Sequence, residues 1–233
     1  MTRAALSAGA GLGAVVMAAQ QLRAPLVQDA AYPWRVAAIA AMVLALALTG
    51  LTRHHPFTTL GPANVLTGAR TLVMALLAGM ATAPGSPLRV WPLVVLATVG
   101  AVADLFDGPL ARRSGMASAF GARFDMEIDA LLILVLSLLV WRALPIGSWI
   151  LLAGVLRYGF IVAGWTLPWM NGPLPPSRRR QTLCVVQIVA LIVCLGPPVP
   201  VAVVWPLAAT SLALLVWSFA VDIRWLHRAA SVS

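Results

Sequence analysis

Acidic residues are scarce in this 233-residue chain, which has seven Asp and Glu against 16 basic residues, every one of them Arg. Charged residues make up 10% of the chain, far below the roughly 25% of soluble domains. A single soluble core is therefore excluded, and the mean hydropathy of +0.93 indicates a membrane protein. The net charge of +9 does not indicate nucleic-acid binding, because the arginines gather between apolar segments. There they are typical of topology signals and anionic-lipid contacts.

Cysteine is equally rare. Cys184 and Cys194 are ten residues apart on one predicted helix, hence about 15 Å apart along its axis. They cannot pair with each other within a regular helix, so we interpret both as small core residues.

Apolar runs near the ~20 residues that cross a bilayer recur along the whole chain. They predict an all-α integral membrane protein, with a Pro-rich loop at 168–176 where prolines prevent a helix from continuing. The first run is short and rich in Ala and Gly, so a cleaved signal peptide or a non-spanning helix stays open there. The eight predicted segments are 4–20, 34–52, 63–82, 90–111, 119–141, 146–167, 182–196 and 200–223.

The arginines predict an orientation. Alternating the eight segments puts nine arginines on one side of the membrane and four on the other, and the richer side is expected to be cytoplasmic. The nine are Arg3, Arg53, Arg112, Arg113, Arg178, Arg179, Arg180, Arg224 and Arg228; the four are Arg23, Arg35, Arg89 and Arg142. Because Arg without Lys is typical of a GC-rich bacterial genome, we expect a multi-pass protein of a bacterial inner membrane.

Four of the seven acids lie close together in the chain: Asp104, Asp107, Asp125 and Asp129. A carboxylate at membrane depth costs at least a few kcal/mol unless it is paired or binds a cation. Asp104 and Asp107 share one helix face, and Asp125 and Asp129 share a face of the next helix. The two faces can oppose each other near the cytoplasmic surface, so this is the predicted active site.

Oxygen ligands of this kind suit Mg²⁺ or Mn²⁺, and the absence of His and Cys from the group argues against zinc. Gly108, Ala111 and Gly121 remove side-chain bulk around the predicted metal position. Small residues in membrane helices also serve close helix packing. Beside four aspartates, we favour space for a phosphate or nucleotide.

The stretch reads D-x-x-D-G-x-x-A-R, eight residues, then G-x-x-x-D-x-x-x-D, and every fixed position is present. It resembles the signature of the CDP-alcohol phosphotransferase family of integral membrane enzymes. The resemblance implies a six-helix catalytic core at 61–225, an extension at 1–60 with one or two transmembrane helices, and a cytoplasmic tail at 226–233. A homodimer is usual in the family.

The resemblance also implies a reaction. Such enzymes transfer a phosphatidyl or similar group from a CDP-alcohol, such as CDP-diacylglycerol, to an acceptor hydroxyl and release CMP. Asp104, Asp107 and Asp125 would hold one or two Mg²⁺ or Mn²⁺ ions, and Asp129 would be a further ligand or the catalytic base. The residues that would border the nucleotide are Gly108, Ala111, Arg112 and Gly121.

A shorter pattern, N-x-L-T-x-x-R, spans residues 64–70 and looks like the first core helix of the family. It would place Thr67 at the donor site. A helix cap at Asn64 with a snorkelling Arg70 explains the same residues, and the sequence does not decide between the two.

The acceptor is less legible. Arg157 lies within an apolar run, where it can bind an acceptor phosphate or pair with an aspartate. Arg178, Arg179 and Arg180 suit a phosphorylated acceptor, a lipid headgroup or simple positive-inside anchoring. The three residues between Asp125 and Asp129 match neither glycerophosphate-accepting nor serine-accepting relatives. Inositol phosphate, glycerol phosphate and a small polar alcohol therefore all stay open as acceptors.

Three other functions fit parts of the pattern. A cation-coupled transporter explains intramembrane carboxylates but not the Gly, Ala and Arg at fixed offsets. An intramembrane prenyltransferase also uses aspartates and magnesium on a diphosphate, without the D-G-x-x-A-R run. A non-catalytic scaffold of the family does not need all four aspartates intact.

Overall fold

The computed structural model describes residues 2–27, 29–54, 62–83, 89–114, 119–197 and 199–231, and these contain helices and turns but no strand. Within the helices, the side chains of residues 2–8, 24–26, 47–54, 62–64, 105–114 and 119–120 are outside the description. The helices, in chain order, are α1 (Thr2–Leu26), α2 (Tyr32–His54), α3 (Pro62–Ala81), α4 (Val90–Ser114), α5 (Ala119–Ala143), α6 (Leu152–Thr166), α7 (Arg178–Leu195) and α8 (Val201–Ala230). The all-helical prediction is confirmed for these ranges.

Several predicted boundaries shift: α1 ends at Leu26 rather than near 20, and α8 ends at Ala230 rather than near 223. α7 begins at Arg178 rather than near 182, because the arginine-rich stretch forms its first turn. α6 is preceded by a 3₁₀ turn, Ser148–Leu151, which follows Gly147 at φ +83°. Only glycine adopts that backbone conformation without strain.

Membrane-spanning potential is unequal along the described chain. Two stretches, Ser148–Thr166 and Val201–Ala230, are long and apolar enough to cross a bilayer. Shorter apolar stretches are Tyr32–Leu46, Val65–Ala81 and Val90–Asp104. Large apolar side chains also stay exposed, including Trp34 at 68% and Trp165 at 76%. Exposed apolar surface of this extent fits helices whose outer faces contact lipid.

The chain divides into two compact units, Met1–Val135 and Leu136–Ser233. In the first, α2 packs closely on α3. The Tyr32 hydroxyl donates a hydrogen bond to the Leu76 carbonyl at 3.2 Å. A Cβ atom at Gly79 would lie 2.5 Å from Val36 Cγ2 and 2.9 Å from Tyr32 Cε2, so only glycine permits this approach. α2 is therefore packed closely against α3.

In the second unit, α7 and α8 form an antiparallel pair. Their connection is held where the Cys194 thiol contacts the Val204 carbonyl at 3.9 Å. α6 joins α8 through the Phe160–Phe219 ring contact, at 5.7 Å between centroids. The predicted loop after α6 contains a 3₁₀ turn, Pro168–Asn171, and the Asn171 amide donates to the Gly164 carbonyl at 2.7 Å. Cys184 and Cys194 form no disulfide with each other, as the sequence predicts; Cys194 is a buried core residue, whereas Cys184 is half-buried.

Candidate active site

Three helices of the first unit bring their polar side chains together. Thr67 and Arg70 are three residues apart on α3, hence on one helix face. Asp104 lies on α4, and Asp125 and Asp129 lie one turn apart on α5. We call Arg70, Asp104, Asp125 and Asp129 the Arg70 cluster.

Arg70 lies at the centre of this cluster. Its Nη1 atom is 2.8 Å from Asp104 Oδ1 and 2.5 Å from Asp125 Oδ1, and its Nη2 atom is 2.5 Å from Asp129 Oδ1. Its Nε atom donates to the Gly100 carbonyl at 3.3 Å. The side chain is 2% exposed, so this cation is buried and ion-paired rather than snorkelling to the membrane surface. The snorkelling interpretation of Arg70 is therefore wrong.

The three carboxylates could hold a metal ion. One oxygen from each of Asp104, Asp125 and Asp129 lies within 4.8 Å of the other two. The side chains are 17–34% exposed, so they can be reached from outside the helix bundle of this unit. With Arg70 included, the four described side chains carry two net negative charges. An oxygen-only donor set with that charge fits a hard divalent cation such as Mg²⁺ or Mn²⁺.

The structure describes only some of the other residues that the sequence predicts to bind the CDP-alcohol. Thr67 is buried at 3% exposure, one turn before Arg70, and its carbonyl accepts a hydrogen bond from the Thr71 hydroxyl at 2.9 Å. Gly121 is half-buried in the first turn of α5. The predicted residues on α4 beyond Asp104 lie outside the described side chains; they are Asp107, Gly108, Ala111 and Arg112.

An apolar groove of about 650 Å³ runs between α3 and α4. Leu66 lines it from α3, next to Thr67, and Ala103 lines it from α4, next to Asp104. Val95 and Val99 form its outer part and are each more than half exposed. The groove is therefore an open apolar surface, and two of its lining residues are the chain neighbours of Thr67 and Asp104.

A family model with the description CDP-alcohol phosphatidyltransferase matches residues 60–220, more than half of the chain. The chain belongs to this family. No curated protein and no solved structure matches it. The CDP-alcohol phosphatidyltransferases are membrane-integral transferases of substituted phosphate groups, and they generally use divalent metals. The match begins just before α3 and contains the whole Arg70 cluster, while α1 and α2 lie before it.

The predicted acceptor arginines of this family member lie in the second unit. Arg179 donates to the Ser218 carbonyl at 2.5 Å, to Ser218 Oγ at 2.7 Å and to Asp222 Oδ1 at 2.5 Å. Arg180 donates to Asp222 Oδ1 at 3.2 Å and to the Pro175 carbonyl. We call Arg179, Arg180, Ser218 and Asp222 the Asp222 cluster. Arg178 is exposed at the start of α7.

Arg157 is half-buried on α6. The mid-helix position predicted from the sequence is thus neither fully buried nor fully exposed. The choice between an acceptor contact and a structural pair stays a prediction for this residue.

Sequence reasoning missed two pairings. Arg70 is the central cation of the site, although the sequence shows it only as the end of a short motif. An arginine within an apolar helix needs nearby anions, and most acidic residues of the chain lie between residues 104 and 129. That combination could have indicated the pairing. Asp222 is the partner of both Arg179 and Arg180. It is one of only two acids outside that window, and this scarcity was the available signal.

Proposed function

We propose that this chain transfers a phosphatidyl group from a CDP-alcohol, such as CDP-diacylglycerol, to the hydroxyl of an acceptor alcohol and releases CMP. The proposal specifies the donor and the site for a family whose members transfer such groups from CDP-alcohols. The reaction belongs to phospholipid biosynthesis. The site faces the cytoplasm of a bacterial inner membrane, and the functional unit is a homodimer.

The observation that carries the proposal is the convergence of Asp104, Asp125 and Asp129, with an oxygen of each within 4.8 Å of the other two. We assign these residues, with Asp107, as ligands of Mg²⁺ or Mn²⁺. A bound divalent cation would neutralise charge on the diphosphate and on the departing CMP. Gly108, Ala111, Arg112 and Gly121 border the nucleotide in this proposal.

The apolar groove between α3 and α4 supports a lipid as donor. Leu66 and Ala103, the chain neighbours of Thr67 and Asp104, both line it. Its open, apolar lining suits acyl chains, and in this proposal the diphosphate extends from it towards the charged residues. A CDP-lipid bound there would have its acyl chains against apolar side chains and its phosphates near charged ones.

The proposed chemistry is a single displacement at phosphorus. The acceptor hydroxyl oxygen forms a bond to the lipid-side phosphorus, and the bond from that phosphorus to the bridging oxygen breaks. The bridging oxygen and its electron pair leave with CMP. Asp129 takes the hydroxyl proton, as a carboxylate within hydrogen-bond reach of the acceptor can do.

A phosphorylated acceptor is favoured by the arginines of the second unit. Asp222 balances one of the two charges on Arg179 and Arg180, so one positive charge remains in the Asp222 cluster. Arg178 adds another at the exposed start of α7. We assign the acceptor phosphate to Arg178, Arg179 and Arg180, with Arg157 as a further contact.

The test is CMP release from radiolabelled CDP-diacylglycerol by membranes that contain the chain. The reaction is run with Mg²⁺ or Mn²⁺ and with inositol phosphate, glycerol phosphate or an unphosphorylated alcohol. Resolving the labelled lipids then identifies the acceptor. We expect metal-dependent CMP release and a new lipid with a phosphorylated acceptor.

A matched control separates the site from general effects. Asp129→Asn should lose activity, whereas Asp29→Asn, the same chemical change in the α1–α2 connection and before the region that matches the family, should retain it. Absence of CMP release with every acceptor and both metals would refute the transferase. Cation-coupled transport is then the function to test next.

A further inference from the structure

Arg70 uses both terminal nitrogen atoms of its guanidinium on the residues assigned above as metal ligands. Nη1 lies within 2.8 Å of both Asp104 and Asp125, and Nη2 lies 2.5 Å from Asp129. The guanidinium thus connects α4 and both acidic turns of α5 from α3.

The Arg70 guanidinium and the three carboxylates stabilise each other. A guanidinium stays protonated in proteins, so burial at 2% exposure is tolerated only with anions around it. Three carboxylates with oxygens within 4.8 Å repel one another unless a cation lies among them. Arg70 therefore supplies, from within the chain, the positive charge that assembles the ligands.

We propose that Arg70 is a positioning residue that holds Asp104, Asp125 and Asp129 together as an internal counter-cation and competes with the divalent cation for them. The inference rests on the proposed function only in taking these carboxylates as metal ligands. A hard cation binds the oxygen lone pairs to which Arg70 donates, and the guanidinium charge opposes its arrival. Arg70 thus lowers metal affinity while it keeps the site assembled.

The proposal predicts opposite changes in two measurements for Arg70→Gln. The metal-free protein loses stability, because three carboxylates then face one another without a cation. Its Mn²⁺ affinity rises, because the competing charge has gone. A residue that only supported the helices would lower both quantities when replaced.

The experiment titrates Mn²⁺ into the purified full-length chain in detergent, without nucleotide, and follows free Mn²⁺ by electron paramagnetic resonance. We expect Arg70→Gln to bind Mn²⁺ at least about tenfold more tightly than the unaltered chain. Thermal unfolding in EDTA should begin at a lower temperature, and Mn²⁺ should raise it by more than in the unaltered chain. Arg35→Gln removes an equal charge from the Asp29 ion pair of the same unit. It should change neither the Mn²⁺ affinity nor the increase in unfolding temperature that Mn²⁺ causes.

Arg70→Lys is a second variant that tests the proposal if Arg70→Gln does not fold. Lysine keeps the charge but lacks the planar fork that spans two carboxylates. It should lower the unfolding temperature in EDTA and leave Mn²⁺ affinity close to that of the unaltered chain.

Equal or weaker Mn²⁺ binding by Arg70→Gln overturns the inference. If that variant cannot be purified, weaker Mn²⁺ binding by Arg70→Lys overturns it instead. Absence of Mn²⁺ binding by every form removes the metal site and overturns both proposals. Mn²⁺ binding without CMP release refutes the transferase and leaves the Arg70 inference standing.

Discussion

The Arg70 cluster and the Asp222 cluster are built from the same groups in opposite proportions. In the first unit one arginine meets three aspartates, and in the second unit two arginines meet one aspartate. The first keeps two net negative charges and the second keeps one positive charge. These formal charges have the signs that the proposed divalent cation and the proposed acceptor phosphate require of their binding residues.

The largest expected effect comes from removing one charge of the Arg70 cluster. Asp129→Asn should reduce CMP release by roughly 100-fold or more, the usual contribution of a general base. The protein should stay folded, because Arg70 keeps Asp104 and Asp125 as partners. The measurement is initial rates with thermal unfolding in parallel, and near-normal transfer would remove Asp129 from the proposed chemistry.

Removing the single acid of the Asp222 cluster should act on stability. Asp222→Asn leaves Arg179 and Arg180 close together without their anion, and Asp222 is largely buried. We expect the free energy of unfolding to fall by about 1–3 kcal/mol, as for other buried partners of charged groups. The Mn²⁺ affinity should not change. A changed Mn²⁺ affinity would contradict the assignment of metal binding to the Arg70 cluster alone.

A smaller effect is expected from a neutral member of the same cluster. Ser218→Ala removes the Oγ atom that accepts from Arg179 at 2.7 Å but leaves the carbonyl that accepts at 2.5 Å. The expected loss is about 0.5–1.5 kcal/mol, the net contribution of one hydrogen bond. Chemical unfolding of Ser218→Ala and Asp222→Asn side by side measures how much of the cluster depends on charge.

The smallest effect should come from the half-buried Asp29–Arg35 pair, which lies in neither cluster. Hydrogen bonds from the Arg35 guanidinium and the Ala31 backbone amide hold the pKa of Asp29 below its ordinary value. The stability from this pair is present above the ordinary Asp pKa and is lost as pH falls through the lowered one. Asp29→Asn should lower the unfolding temperature slightly at pH 7 and not at strongly acidic pH. A difference that is independent of pH would contradict the assignment.

Much of the helical fold could be predicted from the sequence, because each of the eight described helices overlaps one of the eight predicted apolar segments. The shared face of Asp125 and Asp129 on α5 also followed from spacing, since i and i+4 positions lie on one side of a helix. These are local properties, which periodicity records directly.

The pairings across distant segments could not be predicted in the same way. Arg70 is 59 residues from Asp129, and Arg179 is 43 residues from Asp222. Which helices meet depends on tertiary packing, which no single periodicity contains. The apolar groove between α3 and α4 is missed for the same reason, because its lining residues look like ordinary membrane-helix residues in the sequence.

The contact at Gly79 has a practical consequence for protein production. Tyr32 and Val36 lie so close to the backbone of α3 there that the two helices share one buried surface. Expressing only the family-matching region would remove α2 and expose to detergent the face of α3 on which it packs. The helix losing its cover is also the one that carries Arg70. Shortened forms chosen for crystallography or electron microscopy should therefore begin before Tyr32, so that α2 is retained.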